Sequence, residues 1–177
     1  MLRHPDACSP IDEFTRNEFL NVVPDTEVTN VERILLCTGK IGHELHMERA
    51  KRKDDTTAIV FVDQLYPFPE KELQAEFERH PNARDIVWVQ EEPANMGALF
   101  YMLPRLRRIA GEKPVLSVKR SASPAPSTGS AKAHVVDSLR LPLPRGPCLN
   151  EFIDTLGKDF LFWTRPSLPR FLPFYPR

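Results

Sequence analysis

Three short apolar runs, separated by polar stretches of helix length, limit this chain to very few folds. The runs are Ile34-Leu35-Leu36-Cys37, Ala58-Ile59-Val60-Phe61-Val62 and Ile86-Val87-Trp88-Val89. Each is too short to be a helix and shows no polar alternation, the pattern of a strand buried on both faces. Thr38-Gly39-Lys40 turns the chain after the first run, and Gly42 through Lys53, with Leu45 and Met47, predicts a helix. Pro67 and Pro69 punctuate the loop after the second run, and Pro69 suits the first turn of a helix running through Arg79. Gly97 to Ile109 predicts a third helix kinked at Pro104, and Val115-Leu116-Ser117-Val118 a fourth, short strand. Strands alternating with helices of about a dozen residues require crossover connections. The expected body is an α/β domain of three layers with a mainly parallel sheet.

The flanks read differently. Residues 1–30 carry Pro5, Pro10 and Pro24, show no long apolar period, and read as an irregular lead-in. Ser121 to Ser130 is rich in Ser, Pro and Ala and reads as a loop. Residues 135–177 form an irregular, proline-rich tail. Seven of the 18 prolines and seven of the 16 aromatic residues fall between Pro142 and Pro176. Such proline density breaks helices and central strands, while the aromatics exceed what a solvated disordered tail carries. Leu149–Leu156 is its one candidate helix. The expected division is therefore 1–30, 31–134 and 135–177.

Charge excludes some functions. Lys plus Arg and Asp plus Glu both number 24, so the formal net charge is zero. No cationic excess is available to face nucleic-acid phosphates or an anionic membrane surface. No apolar run approaches the roughly 20 residues that span a bilayer, and Met1-Leu2-Arg3-His4-Pro5-Asp6 opens no signal-peptide core. The expected compartment is the cytoplasm. Cys8, Cys37 and Cys148 are odd in number and far apart, and suggest neither a disulfide framework nor a zinc site.

No motif builds an active site. Gly39-Lys40 follows a strand, where backbone N–H groups can take an anion, but the glycine pattern of a phosphate loop is missing. Gln90-Glu91-Glu92-Pro93 closes the third strand, where parallel sheets gather ligands. Adjacent glutamates on an extended chain point to opposite faces, so joint catalysis is not expected, and one of them suits pairing at an interface. His43 and His46 share a helix face but lack a third ligand, and the histidines read as surface groups. Cys37 ends an apolar strand, where burial favours the inert thiol. Ser121, Ser123, Ser127, Thr128 and Ser130 lack a nucleophile elbow. Arg105, Arg107 and Arg108, with Lys119 and Arg120, are candidates for a basic patch. No catalytic residue and no metal site are predicted.

Several stretches together resemble one family. Leu2-Arg3-His4-Pro5, Leu36-Cys37-Thr38-Gly39-Lys40, Asp63-Gln64-Leu65-Tyr66-Pro67-Phe68-Pro69, Pro81-Asn82-Ala83 and Val87-Trp88-Val89-Gln90-Glu91-Glu92-Pro93 resemble the C-terminal region of 2-oxoglutarate dehydrogenase, the decarboxylating component. Ser121-Ala122-Ser123-Pro124-Ala125, Thr128-Gly129-Ser130 and His134 continue the likeness, in order and at matching spacing, over residues 1 to 134. The resemblance implies a transketolase C-terminal-like domain. The intact family uses thiamine diphosphate and magnesium, held by larger preceding domains across a homodimer interface, and passes a succinyl group to the lipoyl arm of dihydrolipoyl succinyltransferase in the tricarboxylic acid cycle. On this basis the chain is expected to be an inactive assembly domain, with His4, Glu92 and Asn95 as interface candidates and no cofactor bound by itself. Lys40, Gln64, Glu91 and Arg120 are candidates for an acetyl-coenzyme A or nucleotide effector site, the alternative function. A nonfunctional gene remnant is a third reading.

The departures have chemical content. Phe61 stands where the family has Arg, Gly42-His43 replaces Tyr-Tyr, Val89 replaces Cys, and Met96 replaces Gln. Losing an Arg weakens the effector reading. Pro126-Ser127 looks inserted, and the 43 residues after His134 are unlike the family's short helical tail. A frameshifted or interrupted gene would explain that end.

Overall fold

Period-two alternation sorts the side chains of the apolar runs onto two faces. The computed structural model, which describes residues 8, 11–16 and 18–126, shows both faces covered. The elements in chain order are α1 (Ile11–Arg16), β1 (Val22–Val23), β2 (Arg33–Cys37), α2 (Lys40–Arg52), β3 (Thr57–Val62), α3 (Glu70–Arg79), β4 (Asp85–Pro93), α4 (Leu99–Ile109) and β5 (Val115–Arg120). The described residues lie in one compact unit, Met1–Pro144.

The sheet runs β1-β3-β2-β4-β5, parallel throughout except for β1, which pairs antiparallel with β3. β2 is the central strand, paired on both sides, so the run Ile34–Cys37 is buried throughout. Ile34, Leu36, Val60, Ile86 and Trp88 face α3 and α4, meeting Leu73, Phe77, Leu99, Met102 and Leu106. Leu35, Cys37, Ile59, Val87, Val89 and Val118 face the other way, against Ile41 and Leu45 of α2. The chain steps from β2 out to β3, then back across β2 to β4. With right-handed crossovers this reversal sends α2 to one face and the later helices to the other. The gap between the carboxyl ends of β2 and β4 is thus the topological switch point of the sheet.

The expected α/β layering and all four strands are present, with shifted boundaries. Gly39 is left-handed at φ 68°, so α2 starts at once, at Lys40 rather than Gly42. Pro69 occupies the cap position of α3 instead of its first turn. Gly97, also left-handed at φ 70°, delays α4 to Leu99, and Pro104 lies inside that helix. β4 runs to Pro93, four residues past the apolar run, because Gln90 and Glu91 find partners inside the fold.

The reading of residues 1–30 as irregular needs correction. The lead-in contains α1 and the edge strand β1, and Val22 and Val28 join the core. Two strand residues are too few to show a period; β1 forms because β3 offers an open edge. His4, His134, residues 127–130 of the Ser121–Ser130 loop, the candidate helix at Leu149–Leu156 and the tail lie outside the described residues.

Candidate functional site

The carboxyl ends of β2, β3 and β4 converge where the sequence places its candidate residues. Alternation along β4 sends Gln90 toward α4, Glu91 toward α2 and Glu92 toward α4 again. The two glutamates do serve opposite faces.

On the α2 side, Glu91 Oε1 lies 2.8 Å from Lys40 Nζ, and Glu44 Oε1 takes the same ammonium at 2.7 Å. The Glu91 contact is an ion pair rather than a well-aligned hydrogen bond. Partial burial pulls the Lys40 pKa down, but its interactions with the Glu44 and Glu91 carboxylates outweigh it and raise the value, so the group stays charged. Arg120 donates from Nε to the Glu91 carbonyl at 2.6 Å and from Nη2 to the Pro126 carbonyl at 2.6 Å. Lys40, Glu91 and Arg120 are therefore linked. Gln64 is used differently, its amide 3.5 Å from the Pro67 carbonyl in the loop after β3, where Tyr66-Pro67 is cis. An anion approaching Lys40 would meet two carboxylates already in place.

Beside Lys40, the Phe61 ring fills the space a side chain at position 42 would need. A Cβ on Gly42 would collide with that ring and come within 2.9 Å of Cys37 Sγ. His43 and His46 pack on the same ring, at centroid distances of 5.0 and 5.6 Å. Gly42 and Phe61, both departures from the family pattern, thus fit each other. Cys37 is sealed beneath, its pKa pushed up to about 12 by burial with help from Asp63, which leaves an inert thiol.

On the α4 side lies a hollow of about 380 Å³. Trp88 and Gln90 form its floor, Leu65, Tyr66 and Tyr101 its walls, and Glu92 its rim. Gln90 holds this side together. Its Oε1 accepts the Trp88 indole N–H at 3.0 Å, and its Nε2 donates to the Met96 carbonyl at 2.9 Å, with those of Pro93 and Glu92 at 3.3 Å. A Cβ on Gly97 would approach the same amide to 3.0 Å, so glycine is needed there for space as well as for its positive φ. Asn95 pins the segment after β5, donating to the Ser123 carbonyl at 3.0 Å and accepting the Ser123 N–H at 3.1 Å. Tyr66, in the lining of the hollow, is 81% exposed, and Phe100, on α4, is 73% exposed.

Two expectations change here. The histidines are not all surface groups: His80 is buried, with Nε2 3.3 Å from Glu76 Oε1. The basic residues form no single patch. Arg105 covers the Tyr101 ring at 3.7 Å, Arg108 pairs with Glu70 at 2.6 Å, and Lys119 reaches Ser117. Sequence reasoning passed over Gln90 and Trp88 as site builders, although the stretch Val87–Pro93 contains both. A buried amide two residues from an indole on one strand face was the available signal.

Among the described residues no three His, Cys, Asp or Glu side chains come together as a metal site, and no helix is long and apolar enough to cross a membrane.

A family model described as 2-oxoglutarate dehydrogenase C-terminal matches residues 8–141. Curated relatives carry the description 2-oxoglutarate dehydrogenase E1 component. One from Geobacillus sp. (strain WCH70) is 45% identical over 133 residues, which is 71% of this chain and 14% of the relative. One from Exiguobacterium sp. (strain ATCC BAA-1283 / AT1b) is 38% identical over 148 residues, 80% of this chain and 16% of the relative. One from Cupriavidus necator (strain ATCC 17699 / DSM 428 / KCTC 22496 / NCIMB 10442 / H16 / Stanier 337) is 37% identical over 138 residues, 76% of this chain and 14% of the relative. The matched part of the chain spans 14–16% of the length of these relatives.

Proposed function

Because the chain belongs to the 2-oxoglutarate dehydrogenase C-terminal family, we propose that it serves as the assembly domain of a decarboxylating 2-oxoglutarate dehydrogenase and contributes no reacting group of its own. In the assembled enzyme, thiamine diphosphate would carry the decarboxylation, and the succinyl group would pass to the lipoyl arm of dihydrolipoyl succinyltransferase in the cytoplasm. The observation that carries this reading is the match itself, which covers a C-terminal family region and a small fraction of each relative. The strand-end face supports it. An exposed tyrosine in the lining of an apolar hollow and an exposed phenylalanine on α4 are anchors of the kind a partner surface covers.

The described residues do not fit the cofactor. Magnesium with a diphosphate needs several oxygen ligands for the ion and spare donors for the phosphates. No three acidic, His or Cys groups converge among the described residues, and Lys40 and Arg120 are both engaged with Glu91. Cofactor binding belongs, on this reading, to the remaining length of the relatives. Partners are the thiamine-binding domains of the same enzyme, in a homodimer, with Glu92 on the docking face and Asn95 holding the loop behind it. His4 keeps its place as an interface candidate.

The test mixes the full chain with the remaining domains of a relative and follows mass by light scattering and succinyl transfer by lipoyl acylation. A stable complex with restored transfer is expected, weakened at least about tenfold by Tyr66→Ala with Phe100→Ala. No complex at about 100 µM, where even a micromolar interface would register, would remove the proposal.

A further inference from the structure

The short strand β1 covers only part of the exposed edge of β3. It pairs Val22 with Val62 and Val23 with Phe61, while Asn21 accepts the N–H groups of Asp63 and Gln64 at 3.0 and 3.1 Å. Beyond that point side chains replace backbone pairing. Asp25 Oδ2 accepts the Ile59 N–H at 2.8 Å, and Arg49 Nη1 donates to the Thr57 carbonyl at 3.1 Å. Arg49, buried on α2, also binds the carboxylates of Asp25 and Glu27 through its two terminal nitrogens. Asp25 Oδ1 takes the Glu27 N–H at 3.0 Å, which folds residues 25–27 into a turn around the guanidinium. An ion pair thus stands in for the ladder hydrogen bonds that an edge strand leaves open.

One member of this clasp, His46, carries a ring whose charge can change with pH. His46 Nδ1 lies 3.2 Å from Arg49 Nη2. A guanidinium has only donors, so Nδ1 must accept, and the ring must be neutral with its proton on Nε2. We propose that residues 21–28 form an acid-sensitive strap on the edge of β3: protonation of His46 at Nδ1 replaces a hydrogen bond to Arg49 with repulsion, loosens Arg49 from Asp25 and Glu27, and uncovers the Thr57 carbonyl and the Ile59 N–H.

The surroundings set the direction. On its own helix His46 faces Arg49 and His43; from the lead-in it faces Asp25 and Glu27, with Glu27 Oε2 4.0 Å away; from β3 it faces the uncharged Phe61 ring. Burial, then Arg49, pull its pKa below 6.5, and together they outweigh the two carboxylates. The folded state therefore favours the neutral ring. The strap's stabilisation by His46 is complete above the ordinary value of 6.5 and is lost as pH falls below it toward the depressed folded value.

Hydrogen exchange on the full chain, corrected for intrinsic rates, tests this between pH 7.5 and 5.5, above the range where ordinary carboxylates titrate. Protection at Ile59, Asp63 and Gln64 is expected to fall at least about threefold, with protection at Ile34–Leu36 unchanged. In His46→Gln, whose amide oxygen still accepts from Arg49 but does not titrate, the dependence should vanish. If that variant does not fold, an NMR titration of the His46 ring in the unmodified chain decides instead, with an expected midpoint below 6.5. Equal protection at both pH values, persistence of the dependence in His46→Gln, or a ring midpoint at or above 6.5 would each overturn the proposal.

Discussion

The two faces of the sheet are held by different physics. Toward α3 and α4, interdigitated side chains do the work: Trp88, Ile34, Leu36, Leu73, Met102 and Leu106 are fully buried, and the buried polar atoms of the Trp88–Gln90 pair satisfy each other. Toward α2 the apolar cluster is small and the helix is mostly polar. There Arg49, Asp25, Lys40 and Glu91 provide the fastening. A face packed mainly by apolar surface fails chiefly when volume is lost. A face fastened by charges needs every partner present and in the right protonation state.

Removing volume from the packed face should have the largest effect. Trp88→Ala is expected to cost about 4 kcal/mol, as buried large-to-small changes do, and to leave the Gln90 amide oxygen unpaired. Urea unfolding measures it, and a cost near 1 kcal/mol would show the face to be loosely packed. Next, Arg49→Met should cost about 3 kcal/mol by stranding the buried Asp25 carboxylate. Adding Asp25→Asn should recover part of that loss. If the double variant is as unstable as the sum of both single changes, the pair is not a coupled clasp and the contrast between the faces weakens. Gly42→Ala should cost about 2 kcal/mol by driving a methyl group into Phe61, and Phe61→Leu should relieve most of it. A neutral Gly42→Ala would mean that the Phe61 ring moves freely.

The smallest effect concerns Asp54, which closes the α2–β3 turn by accepting the Thr56 N–H, the Thr56 hydroxyl and the Thr57 hydroxyl at 2.7 to 2.8 Å. Partial burial raises its pKa, but these hydrogen bonds, led by the Thr57 hydroxyl, prevail and lower it. A carboxylate with a depressed folded pKa contributes above its ordinary value of 3.8 and stops contributing as pH falls through the folded value. Asp54→Asn should therefore cost about 1 kcal/mol at neutral pH, and the difference should close in strong acid. A gap that persists there would mean shape rather than charge holds the turn.

The packed face was legible in the sequence because apolar residues write it directly. Ile86-Val87-Trp88-Val89 announces a strand, and Leu73, Phe77, Leu99, Met102 and Leu106 recur at helical spacing. The charged face was not. Arg49 and Asp25 lie 24 residues apart, and neither differs in sequence from a solvated surface charge. Lys40, Gln64, Glu91 and Arg120 were grouped as lying near strand ends; the structure links Lys40, Glu91 and Arg120, while Gln64 turns to the Pro67 carbonyl. What the strand-end rule did not supply is that Glu44 would share the lysine, which changes a candidate anion site into a neutral network. His80 was misread because its partner Glu76 is one helical turn away and looks equally exposed on paper.

The alternation of Gln90, Glu91 and Glu92 along β4 has an evolutionary consequence. Each residue is committed to a side: the amide to the α4 turn, the first carboxylate to Lys40, the second to the rim of the hollow. Substitution at one position disturbs one side and leaves the other intact. A single-residue deletion or insertion in β4 would exchange the sides for every position beyond it, turning a glutamate into the space built for a satisfied amide. The stretch can drift in identity, residue by residue, but its length is locked.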